Sequence, residues 1–127
     1  MSPVAAEPCV LDPQTLARLG KIPYENNAAF ITSLAQAFQK DTRDRIAALE
    51  LALHSSDAEM GLFFACSISE SAETVGGTSL HAACDRVYRL IKESAWNEAQ
   101  HALAELKARY DECLAALWCY AIEGVAR

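Results

Sequence analysis

Glycine and proline are scarce in this 127-residue chain, at five and four residues. They fall between or at the ends of its periodic segments, so no long helix is interrupted. No stretch alternates polar and apolar residues between turn signals, which excludes a sheet-based core. Basic residues are outnumbered, with 11 Lys+Arg against 17 Asp+Glu and a formal charge of −6. An acidic chain of this kind lacks the general field that nucleic-acid binding needs. The longest apolar run, Cys113 to Ile122, has ten residues, whereas a membrane span needs about 20. The opening stretch Met1-Ser2-Pro3-Val4-Ala5-Ala6-Glu7-Pro8 has neither a positive n-region nor an apolar h-region. No signal peptide and no membrane association are expected, and the expected location is cytoplasmic. Cysteines stand at 9, 66, 84, 113 and 119, an odd number with no zinc-type spacing. Reduced thiols are therefore expected rather than a disulfide scaffold.

What remains is a balanced globular composition, 52% apolar and 22% charged, with a length that suits one domain. Residues 1–10 carry two prolines and no periodicity, and read as a flexible tail. Asp12 and Pro13 suit the cap and first position of a short helix over 12–19, which Gly20 can end. From residue 26 to about 54, Phe30, Leu34, Phe38, Thr42, Ile46, Leu49 and Leu53 fall at steps of three or four. Ser55 or Ser56 can cap the next segment, 57–75, whose inner stripe is predicted as Met60, Phe64, Ile68, Ser71 and Val75. Gly76-Gly77 ends it. Segment 78–93 points Leu80, Cys84, Val87 and Ile91 inward. Segment 95–126 does so with Ala99, Leu103, Leu106, Tyr110, Cys113 or Leu114, Leu117 and Ala121. The pattern predicts an all-α antiparallel four-helix bundle with a short extra N-terminal helix.

Enzyme motifs are missing: no HExxH, GxSxG, P-loop or GxGxxG occurs. Glu98 and His101 have the i, i+3 spacing of a di-iron ligand pair, but no second pair accompanies them. No metal and no cofactor is expected. His54, His81 and His101 are scattered over three segments and read as boundary or solvated side chains. The segment 57–75 is the unusual one. Leu62, Cys66, Ser69, Glu70 and Glu73 share one face, opposite Phe64 and Ile68. An exposed Leu62 and Cys66 in the middle of a bundle helix predict a contact surface.

This stretch, Ala65-Cys66-Ser67-Ile68-Ser69-Glu70-Ser71-Ala72-Glu73-Thr74-Val75-Gly76-Gly77, resembles the A-H-x-L-K-G-x-x-x-x-x-G-A motif of histidine-containing phosphotransfer (HPt) domains. Leu80, Cys84 and Val87 resemble the family's following L-x-x-x-C-x-x-L run. Upstream, Phe38, Asp41, Arg45-Ile46, Leu49 and Ala52-Leu53 also resemble the family, as does Leu11-Asp12-Pro13 at the first helix. The likeness covers residues 11–120 or so, which makes 11–127 an HPt-like domain. It implies a four-helix bundle whose motif histidine exchanges a phosphoryl group with an aspartate of a receiver domain.

Three departures lie at the site itself. Cys66 stands where the family has its histidine, Ser69 where it has lysine, and Glu70 where it has glycine. The first removes the nitrogen nucleophile, the second the cation beside the phosphoryl group. Glu70 and Glu73 add negative charge where a phosphoryl dianion would arrive. The resemblance therefore implies a scaffold retained without its chemistry. Such a module would dock on a receiver domain or sensor kinase through Leu62, Ala65, Cys66, Ser69, Glu70 and Glu73. Arg86 and Arg89 would meet the acidic pocket of the receiver. Two alternatives stand beside this. One is phosphotransfer through His81, His54 or Cys66. The other is an unrelated interaction or dimerisation bundle with spare apolar surface among Leu114, Leu117, Trp118, Cys119, Tyr120 and Ile122. On any of these readings a monomer or weak homodimer is expected.

Overall fold

The computed structural model describes residues 24–119, with side-chain surroundings from residue 30. They form four helices: α1 Tyr24–His54, α2 Ala58–Val75, α3 Thr78–Lys92 and α4 Trp96–Cys119. Short connections turn the chain back on itself, so successive helices run antiparallel. Each helix packs on the next and α4 closes the ring on α1. The expected tail 1–10 and short helix 12–19, with Tyr120, Ala121 and Ile122, lie outside the described residues.

The turns follow from their side chains. Asp57, not Ser55 or Ser56, caps α2, its carboxylate accepting from the Met60 amide at 3.1 Å. Ser55 instead closes α1, donating its hydroxyl to the Leu51 carbonyl at 2.8 Å. Ser56 (φ 52°) and Ser94 (φ 58°) take left-handed backbone at the α1–α2 and α3–α4 turns. Gly76 does the same after α2 with φ 75°, and its neighbour Gly77 donates its amide to the Ala72 carbonyl at 2.8 Å.

Most of the predicted inward residues are buried. In α3 all four are: Leu80, Cys84, Val87 and Ile91. In α4 the choice falls on Cys113 rather than Leu114, which packs against the core from its margin. Tyr110 joins α4 to α1, its hydroxyl donating to the Gln39 carbonyl at 2.9 Å and its ring lying against Phe38. Phe30, predicted on the α1 stripe, is exposed, and Ile31 and Ala35 hold that part of the core.

The larger correction is in α2. Its buried residues are Gly61, Ala65, Ile68, Ala72 and Val75. Met60 is exposed, and Phe64 and Ser71 are half-buried. The reason is close approach. A Cβ at Gly61 would meet Ile91 Cδ1 at 3.0 Å, so any larger residue there would need the Ile91 side chain to give by a few tenths of an ångström. Small residues bring α2 tightly against its neighbours and turn its bulkier ones outward. Ser71 accepts a hydrogen bond from Arg45 of α1 at 2.8 Å, which explains a polar residue at the helix seam.

Burial pushes the Cys84 thiol up to about 12 from 9.0, with a smaller push from the Asp85 carboxylate. Burial alone does the same to Cys113. Both thiols ionise more easily when unfolded, so their contribution to stability is complete below pH 9 and is lost as pH rises toward 12. Each should then cost about 1 kcal/mol per pH unit in that window. Urea titrations at pH 8, 9 and 10 check this: stability should fall across the series, and less steeply in Cys84→Ala and Cys113→Ala variants. Parallel slopes in wild type and variants would remove the thiols as the cause.

Candidate functional site

The outward face of α2 combines features found on no other described helix. α2 contains Glu59, Glu70 and Glu73 and not one Lys, Arg or His. The other three helices all carry cationic residues. Cys66 is exposed at mid-helix, and its Sγ lies 3.9 Å from Glu70 Oε2 one turn on. Ser69 is half-buried beside them and Glu73 is exposed.

Phe63 is the residue that sequence reasoning missed. It is 61% exposed, three residues before Cys66 and so on the same outward side. Its ring meets Phe64 edge-on at 5.1 Å. The adjacent pair Phe63-Phe64 was the available signal, since two consecutive helix positions are 100° apart and cannot both point at one core stripe.

Three expectations about this surface need correction. Ala65 is 1% exposed and belongs to the core, because it is one of the small residues that let α2 approach its neighbours. Leu62 is half-buried and packs against the core instead of standing free. Arg86 and Arg89 do not join the Cys66 face: they line a groove between α3 and α4 with Ala102, Glu105 and Arg109. Facing α2 from α3 is His81, whose Nε2 is 3.9 Å from Glu73 Oε2 and whose Nδ1 is 3.6 Å from Asp85 Oδ2. These become ion pairs when the imidazole is protonated. His54 lies at the far end of α1, its Nδ1 3.0 Å from the Glu50 carbonyl. His101 is exposed on α4. Among the described residues, no group of three His, Cys, Asp or Glu could hold a metal ion.

The chemistry of the face follows. A phosphoryl group arriving at Cys66 would meet the Glu70 carboxylate and no cation from its own helix, so charge works against it. An apolar partner surface would meet Phe63 and the Cys66 thiol. The apolar end of α4 offers less: Leu117 is buried, Leu114 and Trp118 pack against the core, and Cys119 is exposed. None of the described helices is long and apolar enough to cross a membrane.

No protein-family model matches the sequence. No curated protein matches it either. A solved structure does match: the crystal structure of histidine-containing phosphotransfer protein B (HptB) from Pseudomonas aeruginosa PAO1. It superposes with a TM-score of 0.76 at 18% sequence identity, over 88% of this chain and 94% of that one. The element order, the ring of antiparallel helices and this superposition agree, and the chain has the fold of a histidine-containing phosphotransfer protein.

Proposed function

We propose that this protein is a docking module of two-component signalling. It binds a receiver domain or sensor kinase through the outward face of α2 and does not itself carry phosphate. The observation that carries this reading is the α2 face: Phe63 and Cys66 exposed, Glu70 3.9 Å from the thiol, and no cationic side chain on the helix. The fold is that on which a phosphotransfer protein presents its histidine, and the motif resemblance puts Cys66 at that position. The protein then acts by occupying a partner's surface, as a competitor or sequestering factor in a phosphorelay.

The test has two parts. Receiver domains from the source organism are loaded with phosphate and mixed with the protein. The phosphate is expected to stay on the receiver. Acid-labile label on the protein would sink the reading, and label lost on mutating His81 would favour transfer through that side chain. Binding of the retained receiver or kinase is then measured with Phe63→Asp and Cys66→Arg. Both variants should keep their helical circular dichroism, because the side chains are exposed. Both should weaken binding by more than about tenfold, as expected for an apolar anchor at the centre of a contact. Unaltered affinity would place the interface elsewhere.

A further inference from the structure

The groove between α3 and α4 gathers positive charge on a chain that is negative overall. Arg86 and Arg89 of α3 and Arg109 of α4 line it, against a single carboxylate, Glu105. Its volume is about 500 Å³. Among the described residues, the side chains of Arg86 and Arg89 have no ion-pair or hydrogen-bond partner. Arg109 reaches Glu112 through Nη1 at 3.3 Å, but its Nε is buried and without a partner. A chain of net charge −6 thus gathers three guanidinium groups at one seam and leaves most of their donors unused.

We propose that this groove is a second docking surface, for an acidic segment of a partner protein. It is separate from the α2 face and stands without the reading given above. Guanidinium forks match carboxylates in a planar, two-pronged geometry, which suits Asp and Glu side chains. Ala82, Ala83 and Ala102 line the groove with the arginines. These small side chains leave room for a backbone to lie along the seam and give it an apolar floor. No aromatic side chain lines the groove, so nothing there stacks a nucleobase. The net negative charge of the chain opposes a long polyanion such as nucleic acid, whereas a short acidic segment engages only the local field.

A short fluorescein-labelled peptide rich in Glu and Asp is the probe. Its anisotropy is followed on adding the full-length protein, at low and at high NaCl. Wild type should bind, and salt should weaken the complex because exposed charges are screened. The Arg86→Glu/Arg89→Glu double variant should lose about tenfold or more in affinity. Lys40→Glu, a charge reversal on exposed α1, should change nothing beyond a small field effect. Nitrogen-15 spectra of the complex should shift the Arg109 side-chain signal. Absence of binding, equal binding by the double variant, or tighter binding of a single-stranded oligonucleotide than of the peptide would each overturn the proposal.

Discussion

Truncating Ile68 to alanine is expected to cost about 2–5 kcal/mol of folding stability, the largest effect of any single truncation in α2. Ile68 is fully buried. The neighbours on its stripe are Ala65 and Ala72, with Gly61 a further turn back, so Ile68 is the one large side chain at the middle of the α2 contact. Small neighbours cannot swing in to refill the space, and a cavity that stays open costs most. Phe63→Ala removes more atoms, yet should change stability by no more than about 0.5 kcal/mol, because the ring is largely in solvent. Urea unfolding of the two variants side by side checks the contrast. Equal losses would mean that the inward and outward faces of α2 are wrongly assigned.

Cys66→His combined with Ser69→Lys and Glu70→Gly is expected to turn the protein into a phosphoryl acceptor, from no detectable label to an acid-labile one. Each change answers one physical deficit. The imidazole supplies a nitrogen nucleophile. The lysine puts a cation one turn away, where phosphoryl charge develops. Loss of the Glu70 carboxylate removes the negative group now 3.9 Å from position 66. The exposed or half-buried setting of these positions lets the fold accept all three, although glycine inside a helix costs about 1 kcal/mol against alanine. Cys66→His alone should accept far less, since Glu70 still faces the incoming dianion. Incubation with phosphorylated receiver, then acid and base treatment of the labelled band, measures the outcome. A folded triple variant that stays unlabelled would show that Cys66 does not occupy the phosphorylation position.

The bundle was legible where apolar residues are large and regularly spaced. Leu80, Cys84, Val87 and Ile91 mark a strongly amphipathic α3, and the Gly76-Gly77 stop is unambiguous. α2 was harder for a physical reason. Besides Ile68 and Val75, its core face is made of Gly61, Ala65 and Ala72, which carry little hydrophobic weight, while Met60 and Phe63 carry much and point outward. Hydrophobic periodicity therefore leans toward the wrong side of this helix, and Ala65 was drawn to the surface and Phe63 passed over. The position of Cys66 depended only on its distance from Ile68 along the helix, and that part survives. Which seam Arg86 and Arg89 face depends on how α3 packs against α4, information no single-helix pattern contains.

The two left-handed serines have a consequence for where the molecule opens. Ser56 and Ser94 lie in the α1–α2 and α3–α4 turns, and in an antiparallel ring these turns share one end. The opposite end turns on Gly76, which takes the same backbone region at no steric cost. Of the three described turns, two are thus strained and one relaxed, and among them the strained turns should open at the least free energy. Phe63 stands in the first half of α2, the half nearer Ser56. A partner gripping Phe63 would hold in place the helix that leaves the strained α1–α2 turn. Docking and local rigidity are then one event, with the ordering cost charged against affinity and returned as resistance to proteolysis while the complex lasts.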